Sequence, residues 1–580
     1  MTWASGRPFC LFASALLAAC NPGPEPISYG SDSCSTCHMV ISDPRFGSEA
    51  VSTTGKIWKF DSVEDLASFA LHPPEGHTLL SLWVSDFGNP GTVRAPSDLL
   101  SAEGGFYLIS EALQSPMGLG IAAFSSAGSR DSAQGRVGGE AATWSQVLAF
   151  VDESWSGGSP SGVTDPKPQT HDGGDPDHID GSAELVVDPN GPVTSVSAAI
   201  ARATPGATIV VMPGVYEDTA RLVIDKPLTL SGRPGAILDG TLSGQILEIH
   251  ADSVAVRGLT FRNVASSYVE DRSAIKVESA SDCTIEENRF EATFFGIYLA
   301  NSGGCRIIGN ELVATGSRES AAGNGIHLWY STDVEIADNS IRGHRDGIYF
   351  EFVEGSRVTG NVSEENLRYG LHFMFSDDCT YLGNRFRDNG AGVAVMYTEN
   401  VVMEDNDFAE NWGNAAFGLL LKDIRDSRLE GNRFLGNSIG LYAEGANRLQ
   451  VLGNDFRENG WAVKIMADTE DAEFSRNNFF ANSFDLATNS RRTWSRFDGN
   501  YWDGYAGYDL DRDGVGDVPF RPVRLFTLLA ERNEPSLVLL RSFLAQLLDM
   551  AEAVVPLLTP ESLADNEPAM RPLPSAWGAS

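Results

Sequence analysis

Asparagine recurs along the second half of this chain at a nearly fixed interval, in most cases two positions ahead of an aromatic or aliphatic residue. The series runs Asn288 (NRF), Asn310 (NEL), Asn339 (NSI), Asn361 (NVS, weaker), Asn384 (NRF), Asn406 (NDF), Asn432 (NRF), Asn454 (NDF), Asn477 (NNF) and Asn500 (NYW). The spacings are 22, 29, 22, 23, 22, 26, 22, 23 and 23 residues. About ten residues after most of these asparagines comes a glycine and an alternating apolar strand: GIYLA, GIHLWY, GIYFEF, GLHFMF, GVAVMY, GLLLK, GLYAE. A fixed period with two short strands per repeat is the signature of a solenoid. The L-x-x-L-x-L spine of a leucine-rich repeat is absent. The expected fold is mainly β, a right-handed parallel β-helix. Each repeat forms one coil, apolar side chains stack inward, and the asparagines ladder at one turn. The long intervals place insertions after Asn310 and Asn406.

Alternation along a strand sends neighbouring side chains to opposite faces. In GLHFMF, Leu371, Phe373 and Phe375 are then expected in the core, with His372 and Met374 outside. In GVAVMY, Val393 and Val395 point in and Met396 out. Met396 follows Met374 by one period, so the two stack on consecutive coils about 4.8 Å apart. One coil earlier Tyr349 and Glu351 occupy the same columns, and two coils earlier His327 and Trp329. Exposed thioethers are unusual on a strand. His372, Met374 and Met396 therefore form a candidate soft-metal group, beside Glu351. The competing reading is a face covered by another protein or by the small N-terminal domain. Cys283, Cys305 and Cys379 fall in phase with inward positions and read as core thiols.

Residues 1–19 read as a signal peptide: a short apolar run, Phe9 to Ala19, behind Arg7. Leu17-Ala18-Ala19-Cys20 resembles a bacterial lipobox, which makes Cys20 the expected lipidation site and 20–33 a tether. From 34 to 155, strand-like runs (SEAVSTTG, KIWKFDS, LLSLWVSDF) alternate with helical ones (VEDLASFAL, TWSQVLAFVDES), a small α+β domain. Residues 156–182 are rich in Gly, Ser, Pro and Asp and read as a disordered linker in which His171 and His178 are solvated. The β-helix is expected over 183–505, and a turn, a helix and a tail over 506–580. In that turn Asp509, Asp511, Asp513 and Asp517 begin as a calcium loop does, but position twelve is Phe520 rather than Glu. A Ca2+-stiffened turn and a plain Asp/Gly turn both fit. Leu537, Leu540, Phe543, Leu544, Leu547, Leu548, Ala551 and Val555 follow at helical spacing. Arg541, Asp549 and Glu552 rule out a membrane span there, so the helix caps the solenoid or docks on a partner.

A formal net charge of −36 argues against nucleic acid or an anionic membrane surface as partner. It suits a soluble protein, for which acidity only aids solubility, or one that handles cations. Seven cysteines in 580 residues do not make a disulfide framework. The stretch SDSCSTCHMVISDP, residues 31 to 44, admits four chemistries. Cys34-Ser35-Thr36-Cys37-His38 satisfies the c-type haem pattern. Its C-x-x-C could be a redox dithiol or half of a zinc site, and with Met39 it offers a soft donor set for Cu(I).

Two family resemblances bear on that choice. The segments RDGIYFEF, YGLHFMFSDDC, VAVMY, FGLLLKD and NYWDGYAGYDLDRDGVGDVPFRPV, with the run to LTPESLADNEPAMRPL, resemble NosD over about residues 183–575. That family is the periplasmic β-helix component of the nitrous oxide reductase maturation system. The segments CSTCHMVISDPRFGSEAV, KFDSVEDL and SPMGLGIAAF, over about 34–155, are similar to NosL, a copper-binding lipoprotein of the same system. The resemblance implies a natural NosL–NosD fusion that handles copper in the periplasm, held to a membrane by its lipid and without catalysis of its own. It implies as partners an ABC transporter of NosF and NosY subunits, and nitrous oxide reductase, whose copper–sulfur centre the system builds. It also implies Cu(I) ligation by Cys37, Met39 and Met117 (from SPMG), with Cys34 and His38 as alternates. Some members of the NosL family carry further sulfur where this chain has Val63-Glu64-Asp65-Leu66. The residues agree with copper: a strand-like, Pro-interrupted segment follows the motif where haem would want helices. A dithiol would follow a strand and open a helix, and zinc lacks its other ligands.

The first coils, from VSAAIARATPGATIVVMPGVY, also resemble the pectin-lyase-like superfamily. That opens an alternative, a polysaccharide lyase, hydrolase or epimerase with an appended metal-binding domain. The outward column Trp329, Glu351, Met374, Met396, Lys422 counts against it, because methionine has no role in sugar chemistry.

Overall fold

The computed structural model describes residues 24–156, 184–524 and 563–578, except 30–31, 33, 37–40, 42, 54–55, 74–77, 93–94, 111, 114, 218–220, 243, 267–271, 315–321, 414–415 and 490–493. The expectations for the signal peptide, Cys20, Cys37, His38, Met39, the linker and the helix from Leu537 to Val555 lie outside these residues. The chain divides into two compact units, Met1–Thr164 and Asp165–Ser580.

In the first unit, Ser48–Ser52 lies between Ile57–Phe60 and Leu79–Val84 in an antiparallel sheet that Leu100–Ser101 extends. Phe106–Ile109 lies between Ile121–Phe124 and Glu140–Ala142 in a second sheet. The helix Val63–Leu71 starts where Ser62 Oγ accepts the Asp65 N–H at 3.0 Å. Its first turn is buried, acidic residues included. The tether expected over 20–33 is packed down in part. Ile27 and Tyr29 are buried, the Tyr29 hydroxyl lies 3.0 Å from Ser85 Oγ, and the Glu25 N–H donates to the Glu49 carboxylate at 2.9 Å.

The second unit is the expected solenoid. Among the described residues it has three parallel sheets of 14, 13 and 12 strands. The first runs from Glu184–Val187 to Arg496–Asp498, the second from Gly214–Tyr216 to Tyr501–Trp502, and the third from Leu222–Ile224 to Phe484–Thr488. Strands of the first two sheets are mostly three residues long with the middle side chain buried, as in Arg289–Glu291 and Arg428–Glu430. Inside, Phe386, Phe408, Phe434, Phe456, Phe479 and Trp502 stack coil upon coil, ring centroids 5.6, 4.8, 4.7, 4.9 and 4.1 Å apart.

The asparagine ladder is continuous. Asn384, for example, donates Nδ2–H to Asn406 Oδ1 at 3.0 Å and to the Val358 carbonyl at 2.9 Å, while its Oδ1 accepts from Asn361. The residue just before each ladder asparagine has positive φ, and six of the ten are glycine, Gly309 to Gly499. A second ladder, not foreseen from the sequence, runs five residues later through Asn366, Asn389, Asn411, Asn437, Asn459 and Asn482.

Two core assignments are corrected. Cys283 and Cys305 are not free thiols: they occupy the same position of consecutive coils, Cα atoms 4.5 Å apart, and form a disulfide. Cys379 is a free thiol buried in the core, as expected. Phe375 does not enter the core. It sits at φ +49 just past its strand and stacks outside between Phe352 and Tyr397, at 5.2 and 5.1 Å.

Candidate metal centres

In the first unit Cys34 is 1 % exposed, and its Sγ–H donates to Asp65 Oδ2 at 3.2 Å. Asp61 completes a group in which one ligand atom from each residue lies within 4.8 Å of the others. Asp65 rides on the buried first turn of the helix, and Asp61 precedes its cap. Burial, reinforced by Cys34 and Asp61 alongside it, raises the Asp65 carboxyl well above the ordinary range. Thr36 Oγ1, Asp61 Oδ1, Glu64 Oε2 and Asp65 Oδ1 are buried without a hydrogen-bond partner. Such orphaned oxygens are costly unless a further group satisfies them. Glu64, pushed up to about 7 by burial, accepts the Ile121 N–H at 3.1 Å. That bond ties the turn carrying the fully buried Met117 to the helix carrying Asp65. A thiol gives up its proton when it takes a soft cation.

Asp61 was not singled out in the sequence, and Asp65 was named only within the stretch Val63-Glu64-Asp65-Leu66. The available signal was their place within FDSVEDLASF, where acids share a helix start with Val63, Leu66 and Ala67.

On the solenoid the columns are as expected: His327, Tyr349 and His372 are neighbours across strands, as are Trp329, Glu351, Met374, Met396 and Lys422. Their exposure is not. His372, Met374 and Met396 are all 0 % exposed. They stand outside the inner core, yet third-sheet strands such as Tyr369–Met374 and Ala391–Met396 are buried at every position. Over these coils the sheet is covered on both faces. Met374 and Met396 lie side by side in register. The His372 ring packs against Tyr369 and the edge of Tyr349, at 4.9 and 5.0 Å. Burial, with Arg368 and Arg345 nearby, drives its pKa well below the usual histidine value. The imidazole is neutral, and neither ring nitrogen has a hydrogen-bond partner. Lys422, also buried, is held by Glu444 at 2.6 Å.

In the acidic turn, oxygens of Asp509, Asp511 and Asp513 come within 4.8 Å of one another. Asp517 instead closes the turn, its Oδ2 accepting the Leu510 N–H at 2.6 Å. Asp509 and Asp513 likewise accept the N–H groups of Gly514 and Val515, at 3.0 and 2.8 Å.

Residues 27–149 match the NosL family, and residues 313–507 match the family described as periplasmic copper-binding protein (NosD). The chain is 30% identical over 381 residues to the probable ABC transporter binding protein NosD of Pseudomonas aeruginosa, spanning 61% of this chain and 86% of that protein. It is 27% identical over 415 residues to the protein of the same name from Stutzerimonas stutzeri, spanning 62% and 85%. Among solved structures, the copper chaperone NosL from Shewanella denitrificans matches 22% of this chain and 95% of its own, with 23% identity and a TM-score of 0.19.

Proposed function

The chain belongs to the NosD family, with a NosL region fused ahead of its β-helix, and on that premise we propose that it is a periplasmic copper chaperone. It takes up Cu(I) in its N-terminal domain and, with an ABC transporter of the NosF and NosY kind, delivers it for the copper–sulfur centre of nitrous oxide reductase. The reading is supported by the family description as periplasmic and copper-binding and by the relatives' name as ABC transporter binding proteins. The observation that carries it is the buried Cys34–Asp61–Asp65 group with its orphaned oxygens. A thiolate formed there, joined by the thioether of Met117 and by Cys37, Met39 or His38, makes a soft site in which Cu(I) is the preferred cargo. His372, Met374 and Met396 are the receiving group on the solenoid. Lipid on Cys20 holds the chain at the membrane.

The chain acts without catalysis of its own. Support comes from the outer column a sugar would have to meet: Glu351 and Lys422 are 8 % and 7 % exposed, and Lys422 is committed to Glu444.

Cu(I) titration of the full chain against a competing chelator tests the assignment. Cys37→Ser combined with Met39→Leu is expected to abolish the tightest equivalent, and Cys34→Ser to weaken it. Unchanged uptake by the double variant overturns copper loading through this domain. A Cys20→Ala chain that still sediments with membranes would assign the anchoring to a partner.

A further inference from the structure

A different group of ligands stands at the N-terminal end of the third sheet, where its outer face opens to solvent. Glu248 lies in the strand Leu247–Ile249, and His250 follows it by two residues, which puts both side chains on the outer face. The neighbouring strand Ser273–Glu278 pairs Glu248 with Lys276 and Ile249 with Val277, so His250 and Glu278 stand opposite each other. One ligand atom from each of Glu248, His250 and Glu278 lies within 4.8 Å of the other two. His250 Nε2 is 3.4 Å from Glu248 Oε2. That is long for a charge-assisted hydrogen bond, about 2.7–2.9 Å. It is the separation of two donors around a tetrahedral ion held about 2.1 Å from each.

We propose that Glu248, His250 and Glu278 form a further metal site, for a borderline divalent transition ion such as Zn2+. One imidazole and two carboxylates are too hard a set for Cu(I) and suit a divalent ion. They leave the fourth position of a tetrahedron open. The backbone of the site is fixed by the parallel ladder, so the ligands need only small side-chain rotations to converge. Glu248 is the anchor: its side chain is 3 % exposed. Burial alone would raise its pKa, but the Arg221 hydrogen bonds and His250 outweigh that and keep it ionised.

Two cations pair with the carboxylates of the group. Arg221 donates to both Glu248 oxygens at 2.6 Å, and Lys276 Nζ lies 3.2 Å from Glu278. The Arg221 side chain is 64 % exposed and can swing into water while the carboxylate stays in the sheet. Arg221 is therefore a competitor for the metal, which separates this site from a static ion pair. In an ion pair the guanidinium stabilises the group; in a metal site it opposes loading.

The test is equilibrium dialysis of the full chain against buffered Zn2+, with bound metal counted per chain. His250→Ala and Glu278→Gln, at positions reached by solvent, are each expected to fall from half an equivalent to about a tenth or less at a free Zn2+ that half-fills the wild-type site, an affinity loss of at least about tenfold. Arg221→Ala is expected to bind that equivalent several-fold more tightly. Circular dichroism melting confirms that each variant is folded. Wild-type zinc content in His250→Ala overturns the proposal and leaves the group an ion pair, as does weaker binding by Arg221→Ala.

Discussion

Asp565 occupies the rung that the next asparagine would take beneath Asn500. Its Oδ2 accepts the Asn500 backbone N–H at 2.9 Å and the Asn500 Nδ2–H at 3.0 Å, as each ladder asparagine does for the one before it. The same oxygen accepts Trp502 Nε1–H at 3.0 Å, and Oδ1 accepts the Gly499 N–H at 3.1 Å. The ladder is polar, since each rung donates to the next. Its last rung therefore needs a pure acceptor, which a carboxylate is and an amide is not.

Asp565→Ala removes the acceptor of five hydrogen bonds, the Glu567 N–H included, and is expected to cost about 3 kcal/mol. Because a solenoid is stabilised by nearest neighbours, the loss should stay local. Hydrogen exchange should accelerate at Gly499 and Asn500 and remain unchanged at Asn384. Uniform acceleration along the whole ladder would refute the local cap.

Cys283 and Cys305 close a loop of 22 residues between consecutive coils. Replacing both by alanine should lower stability by about 3 kcal/mol from chain entropy. Both are 0 % exposed, so a maleimide added to native protein with mild reductant should leave them unlabelled and react only after unfolding. Labelling of the native chain at these positions would show that the coils open there.

Glu49 is pushed up to about 7, chiefly by burial, against the pull of the Glu25 N–H it accepts. The folded state therefore binds this proton more tightly than the unfolded chain, and the sign follows: the stability it contributes is complete below about pH 4.5 and is lost as pH rises through about 7. Glu49→Gln keeps an acceptor for Glu25 and removes the titration. The melting temperature of the wild type minus that of this variant should fall between about pH 5 and 7.5. A flat difference would mean that the carboxyl is solvated when the domain is folded.

Much of the solenoid was legible because its period is written in one residue type, and the same arithmetic placed Met374 beside Met396. Applied to cysteine it would have found the disulfide, since Cys283 and Cys305 both lie five residues before a ladder asparagine. The second ladder escaped because His344 and, in the earliest coils, Thr293 stand where the later coils have asparagine. What alternation cannot report is a second packed layer. It sorts side chains into and out of the coil, not into buried and exposed. The clue was composition: in GLLLK and AGVAVM both phases are apolar, which a strand wet on one face would not need. The acids at the helix start were visible in FDSVEDLASF, but their meeting with Cys34 depends on chain reversal over some 30 residues, which no local pattern encodes.

Met374 and Met396 supply the final prediction. They are buried side by side next to a neutral imidazole with two unpartnered nitrogens, so the group is dry, soft and short of a partner for His372. Leucine at both positions conserves volume and should cost less than about 1.5 kcal/mol per site, while removing both thioether donors. If the group receives Cu(I), nitrous oxide reductase matured with the Met374→Leu, Met396→Leu chain should lack copper at its copper–sulfur centre, although the variant melts close to the wild type. His372→Phe should give the same defect, since a phenyl ring fills the place against Tyr349 and Tyr369 without a ligand nitrogen. Loss of copper from both variants with the fold intact is the signature of a site. Maturation at the wild-type rate would reduce the group to outer-layer packing and leave the cargo with the N-terminal domain alone.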